Sequence, residues 1–535
     1  MTEQILKYWP MPGATPRKSQ IEALEWIEKL PPHIKYILVE LPVGAGKSNF
    51  GLNFSGWISQ SLGSSFVLTP QRILQRQYEN SFEPNRLCSV YGKSNYDCEA
   101  KKTDCSLGSI IAPKCGEGCP AKMAMRTAAA SPNMVLNYTL ALLLFKYNPN
   151  ISSRKLMIFD ECHTLETHLT EFNAVTIGEM RCKKVDMSYY SPKSIERALE
   201  WLETEYLPKV KKRFVELDRQ IDAINDGMEF NPRSPSKDER EVFRNHKNFK
   251  EHLESVNVIM GMERQELEER FVLVNEKKSF KFKELYGKNV FHSLVKPKAD
   301  KFLFMSATIL NKDAYCRDLG LNSDEAAFIS IPSEFPVDNR PVIYIPQIKM
   351  NYEWNSDKNA NNRKDLLLKV KEICDLHKDE SGIIHTGNFQ IAEWLVEGLN
   401  GMIDQNILHH NPESNLNRDD VIAEYLEKAP IMPSLLISPS ITEGLDLRDD
   451  LGRFCIFVKV PFGNLGDEWI KRRKDLSNEW YARQAFINIM QGAGRVTRSK
   501  EDYGNTYILD ASFGYLYSTM FKYVPHWWRD GYMEA

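Results

Sequence analysis

The chain has no apolar run near the roughly 20 residues that cross a bilayer. Its longest candidate, VLNYTLALLLF at 135–145, is short and contains polar side chains. No membrane partner is therefore expected. The first residues, MTEQILKYWP, lack the charged-then-apolar pattern of a secretory leader. The chain is expected to work in the cytoplasm, of a bacterium or of a phage-infected host. There is little surplus charge: 69 Lys and Arg stand against 72 Asp and Glu, a net of −3. That excludes a global basic field, although a neutral protein can still carry a basic groove. There is no internal repeat and no low-complexity tail, which excludes solenoids and disordered adaptors. Cysteine is sparse, with 10 in 535 residues, and in a reducing compartment these are thiols or metal ligands rather than disulfides.

The cysteines present are unevenly placed. Five of the 10 lie between positions 88 and 119. Cys162, Cys182, Cys316, Cys374 and Cys455 are scattered and read as core. Cys98, Cys105, Cys115 and Cys119 have the spacing C-x6-C-x9-C-x3-C. Structural zinc sites are built on short C-x2–4-C knuckles, and only the last pair fits one. Long, uneven gaps suit an iron–sulfur cubane better, with zinc as the alternative. Cys88 is expected to be a spare thiol. Around the four lie Arg86, Lys93, Lys101, Lys102, Lys114, Lys122 and Arg126, enough basic charge to contact a nucleic-acid backbone.

These cysteines fall between two nucleotide motifs. LPVGAGKS at 41–48 follows a buried strand, YILVEL, and precedes a helical pattern. In a phosphate loop of this kind Gly44 and Gly46 free the backbone N–H groups to face phosphate oxygens. Lys47 neutralises the β- and γ-phosphates and Ser48 ligates Mg²⁺. IFDECH at 158–163 places Asp160 and Glu161 after a buried apolar run. Asp160 is assigned to the metal and Glu161 to the attacking water. His163 is expected to couple the site to residues across a cleft. Near the C-terminus, QGAGRVTR at 491–498 is expected to put Arg495 and Arg498 on one helix face, as a finger pair toward the γ-phosphate.

The wider pattern is α/β. Strands are expected at 36–41, 64–70, 133–137, 155–161 and 301–309, and again near 344–347, 382–387, 434–440 and 454–460. A charged helical region over about 187–270 is split by a polar breaker at 225–240. A chain this long divides into several domains.

In order, RKSQ (17–20), GAGKS, LTPQR (68–72), DECH, MSAT (305–308), ITEGLDL (441–447) and QGAGRVTRSKEDYG (491–504) resemble the motifs of superfamily 2 helicases. YGKSNYDC (91–98), the further cysteines and CPAKMAMRTAAASPNMVLNYTLAL (119–142) resemble the iron–sulfur helicases typified by XPD and DinG. The departures are DECH for DEAH, Lys93 for the usual arginine, and Leu41 for the first loop glycine.

The resemblance implies two RecA-like parallel-sheet motor domains. The first would comprise 1–85, 129–186 and 294–335, and the second 336–535. The first would be interrupted by a cluster insert at 86–128 and a helical arch-like insert at 187–293. It implies ATP, Mg²⁺ and a 4Fe-4S cluster as cofactors. Arg17, Gln20, Ala45, Asp446 and Gln491 join the loop residues and the two arginines at the nucleotide. The implied partner is single-stranded and forked DNA, the polarity 5′→3′, the acting unit a monomer, and the setting DNA repair or replication. No appended nuclease domain is expected. The rival reading is a nucleic-acid-stimulated ATPase that remodels complexes without unwinding, its cysteines holding a structural metal.

Overall fold

The main strands form along short apolar runs such as YILVE, FVL and LMIF. The computed structural model describes residues 2–11, 13–98, 103–111, 118–230, 235–411, 418–439, 447, 449–497 and 499–535. Seven strands make one all-parallel sheet, in the order Ala326–Ser330, Tyr36–Glu40, Ala299–Ser306, Arg154–Asp160, Ser65–Thr69, Asn133–Asn137 and Leu87–Ser89. Its central strands are buried on both faces, as the continuous apolar runs require. A second parallel sheet of seven runs Asn406–His409, Ser434–Ser438, Gly382–His385, Phe454–Phe457, Asn505–Asp510, Val342–Ile348 and Tyr532–Glu534. These are two RecA-like α/β domains. Parallel strands bring every C-terminal edge to the same side, and ligand-binding loops collect there.

Two inserts leave the first sheet. Asp97–Cys98 and Thr103–Asp104 form a short antiparallel hairpin, followed directly by the helix Cys105–Ile111. Leu207–Phe230 and Lys237–Met260 are long helices packed on each other. The second starts at a capping box, in which Ser236 Oγ accepts from Glu239 N and Glu239 Oε2 from Ser236 N, at 3.3 and 2.7 Å. The helix Cys105–Ile111 rests on this long helix, and Asp104 pairs with Arg244 at 3.8 Å. The two inserts therefore touch.

Three features differ from the sequence expectation. The polar stretch from 225 does not break the helix until Phe230, because Asn and Asp at an exposed helix end cost little. The helical insert carries its own antiparallel sheet, Val175–Gly178 with Ser279–Glu284 and Phe271–Glu276, which draws in residues before 187. Leu87–Ser89, within the stretch 86–128, is an edge strand of the first sheet and contains Cys88. Among the described residues no helix is long and apolar enough to cross a membrane.

The two sheets and the helical insert meet at one buried guanidinium. Arg473, on the helix Glu468–Leu476, is 1% exposed. It pairs with Glu166 at 2.5 Å and Asp318 at 3.1 Å, and donates to the Leu285 carbonyl at 2.7 Å. The Tyr286 and Trp480 rings lie 4.4 and 4.6 Å from its centre. Arg483 pairs with the other Asp318 oxygen. Burial raises the Glu166 carboxyl above its ordinary range, against the pull of Arg473. Removing one member of such a cluster leaves a buried charge unpaired. Arg473→Met should cost about 3–5 kcal/mol, read as a lower urea midpoint for loss of the domain interface. An unchanged midpoint would show that the cluster contributes nothing net.

Candidate active site

Strand Tyr36–Glu40 delivers the phosphate loop to the C-terminal edge of the first sheet. Leu41, where the stricter motif has glycine, continues the ladder: its N–H donates to the Ser306 carbonyl at 2.9 Å and its side chain is core. Gly44 and Gly46 do need to be glycine, with φ of 77° and 74°. At Gly46 a Cβ would also lie 2.4 Å from Gln20 Nε2. Gln20 donates to the Gly46 carbonyl at 2.9 Å and Arg17 donates to that of Gly44. Arg17 and Gln20 thus grip the loop from the start of the helix Lys18–Glu28. Ala45 is buried, and the helix Lys47–Ser59 starts at the motif lysine with its N–H groups facing the loop.

Strand Arg154–Asp160 lies two places away and ends in the two carboxylates. The Tyr78 hydroxyl donates to Asp160 Oδ2 at 3.1 Å and also bonds the Ser48 side chain. One phenol therefore holds together the hydroxyl and the carboxylate assigned to Mg²⁺, and their chemistry suits that hard cation. Burial, then the neighbouring Glu161 charge, pushes the Asp160 carboxyl up to about 6. Burial works the same way on Glu161, but the Lys47 ammonium and His163 outweigh it and hold that carboxyl well below its usual range. Glu161 Oε1 is 3.2 Å from Lys47 Nζ. Glu161 has a left-handed backbone, φ 50°, a strained conformation for a side chain of this kind. Cys162, at the departure from DEAH, points into the core.

The site continues into the second domain. His163 Nδ1 is 3.4 Å from Glu161 Oε2 and 2.8 Å from Ser306 Oγ. Ser306 Oγ lies 3.4 Å from Thr308 Oγ1, which accepts from Gln491 Nε2 at 2.9 Å. DECH, MSAT and QGAGR are thereby joined in one polar chain. Arg495 is buried nearby, but the helix Asn478–Ala493 ends two residues before it, at the Gly494 C-cap. The expected helical placement of Arg495 is corrected: the backbone leaves the helix at Gly494, with φ −72° and ψ 2°, and Arg495 stands in the following turn. Arg498, Asp446 and Cys115 lie outside the described residues. Two residues that sequence reasoning missed are now evident. His385 stacks on Phe457 at 4.6 Å, and burial, then Arg495, pushes its imidazole down to about 3. Glu40 is a buried carboxylate one strand away from the acidic motif's neighbour. Both sit in apolar strand runs that read as pure core.

In the cysteine insert, Cys98 and Cys105 are buried, and Cys119 is the N-cap of the helix Pro120–Ala130. Gly108 leaves space beside Cys98, where a Cβ would stand 2.5 Å from the sulfur. Lys93 spans the insert, donating to Ser109 Oγ at 3.3 Å. The described thiols, two of them buried and Cys98 beside the space at Gly108, suit a soft-metal group. Among the described residues no three His, Cys, Asp or Glu side chains are gathered as a metal site.

Residues 13–191 match the family described as type III restriction enzyme, res subunit, and 372–531 match the helicase C-terminal domain family. The chain is 32% identical over 106 residues to the regulator of telomere elongation helicase 1 homolog of Caenorhabditis briggsae, 17% of this chain and 10% of that protein. It is 24% identical over 222 residues to the ATP-dependent DNA helicase DinG of Photobacterium profundum, 39% of this chain and 31% of the relative. The matched segments thus span well under half the length of these relatives. A solved XPD helicase structure superposes with a TM-score of 0.62 at 16% identity, covering 98% of this chain and 100% of that one, a likeness of fold.

Lys47→Ala should abolish ATP turnover and leave the fold intact, because the ammonium meets Glu161 at the site surface rather than the core. Hydrolysis near the wild-type rate, measured as phosphate release, would remove the phosphate-loop assignment.

Proposed function

The chain belongs with the XPD/DinG-like helicases of superfamily 2, and from that premise we propose that it is an ATP-dependent DNA helicase. The observation that carries the reading is the polar chain from Lys47 and Glu161 of one sheet domain to Gln491 of the other. A nucleotide that changes the contacts of Lys47 changes what the second domain meets.

In this reading the amides of Gly44–Ser48 receive the phosphates and Lys47 turns from Glu161 to their oxygens. Ser48 and Asp160 would hold Mg²⁺, which neutralises phosphate charge. Glu161, relieved of Lys47, orients water and takes its proton as the water oxygen bonds to the γ-phosphorus. The bond from that phosphorus to the bridging oxygen breaks, and the electron pair leaves with ADP. Arg495 and Arg498 serve the charge that develops in the transition state, with Arg17, Gln20 and Asp446 lining the nucleotide.

Closing and opening of the cleft would draw single-stranded DNA across both domains, 5′→3′. Cys98, Cys105, Cys115 and Cys119 would hold a 4Fe-4S cluster that stiffens the insert. Together with the helical insert it would part the strands of a fork. The protein would act as a cytoplasmic monomer.

Strand displacement on forks tailed at either end tests the proposal, with DNA-stimulated hydrolysis measured alongside. The 5′-tailed fork should be unwound and the 3′-tailed one should not. Stimulated hydrolysis with no displacement on either would make the protein a remodelling ATPase. Protein purified without air should be yellow-brown and carry about four irons per chain; one zinc and no colour would contradict the cluster. Cys105→Ser should lose displacement and keep measurable hydrolysis, since both sheets keep their own cores. Equal loss of both in a folded variant would contradict that division of labour.

A further inference from the structure

Glu40 is the last residue of its strand, 1% exposed, and takes part in no ion pair among the described residues. A buried carboxylate is costly to desolvate, and an apolar residue at a strand end would be cheaper. Its surroundings explain what it does. Oε1 accepts from both Ile309 N and Leu310 N at 2.8 Å, and Oε2 accepts from Ser330 Oγ at 2.6 Å. Only a carboxyl-like group offers two successive N–H groups one acceptor while taking a hydroxyl on the other. Burial pushes its carboxyl up to about 7, partly offset by these three bonds.

The turn that Glu40 grips is unusual. Leu310 has φ 64°, a left-handed backbone that favours glycine, so outside contacts must hold it. Its side chain leaves the first domain. It is buried as part of the apolar cluster of the second domain, which includes Val342, Val460, Phe486 and Val496. Thr308, two residues earlier, accepts from Gln491. Asn311, one residue later, reaches Glu479 at 3.4 Å. Three cross-domain contacts, at Thr308, Leu310 and Asn311, thus hang on a turn pinned by one carboxylate, which stands one residue before the phosphate-loop motif.

We propose that Glu40 is a positioning residue for hydrolysis: it clamps the 306–311 turn so that Thr308 and Leu310 meet the second domain in register with the phosphate loop. This rests on the ATPase reading above. Glu40 touches no substrate and acts through the turn.

Glu40→Met conserves volume and removes both acceptors. Glu40→Gln keeps an oxygen for the two N–H groups, and its amide can donate to Ser330. Two readouts are needed. The first is amide hydrogen exchange over 306–311, which is independent of activity. In wild type the Ile309 and Leu310 amides should be protected; E40M should exchange them at least about tenfold faster, and E40Q should restore protection. The second is ATP hydrolysis with saturating single-stranded DNA. E40M should lower kcat about tenfold or more while KM for ATP stays within about threefold, and E40Q should recover most of the rate. Unprotected amides in wild type, unchanged kcat in E40M, or a loss carried by KM alone would overturn the proposal. A wild type that hydrolyses no ATP defeats the helicase reading, while the exchange measurement still decides the clamp. Should E40M not fold, Leu310→Ala keeps the clamp and removes only the cross-domain side chain. It should lower kcat with exchange at Ile309 unchanged, and a wild-type kcat would overturn the proposal.

Discussion

The site depends on the ion pair between Lys47 and Glu161. The phosphate loop presents a cation and the acidic motif an anion, and each satisfies the other across 3.2 Å. In the proposed reaction this pair sets the logic of the site, because the phosphates and Glu161 would compete for the same ammonium. The left-handed backbone of Glu161 fits this account, since strain of this kind persists only where surrounding contacts hold it. From Glu161 the path runs through His163, Ser306 and Thr308 to Gln491, so the electrostatics of one domain end on a side chain of the other.

Much of this was legible in the sequence, for a physical reason. Parallel strands buried on both faces are continuous apolar runs, and phosphate loops demand glycine where φ is positive. The strands at 36–40, 65–69, 133–137 and 154–160 stand out as apolar runs, the first leads into Gly44 and Gly46, and the last ends on Asp160 with Glu161 next to it. Short strands such as Leu87–Ser89 and Tyr532–Glu534 have too few residues to show a period. The insert sheet pairs Val175–Gly178 with a segment about a hundred residues later, a partnership no local pattern reveals.

Other features were hidden because their meaning lies in contacts distant in the chain. Arg473 sits in EWIKRRKDL, which reads as a solvated basic helix, yet it is buried against Glu166 and Asp318. Glu40 reads as the polar end of a strand, yet it holds the turn after MSAT. The pairing of Arg495 with Arg498 on one helix was inferred from spacing alone, and spacing cannot show where Gly494 ends the helix. The basic insert and the long helices were recognisable separately; their mutual contact through Asp104 and Arg244 was not.

In the proposed function the two sheet domains share one nucleotide response through the contact of Thr308 with Gln491. A double-mutant cycle on kcat tests it most directly, with Thr308→Val, Gln491→Leu and the double variant assayed at saturating ATP and single-stranded DNA. Each single change should slow hydrolysis, and the double variant should be little slower than either one, giving a coupling of about 1 kcal/mol or more. Strictly additive losses would mean that the two side chains act separately and that the domains communicate by another route.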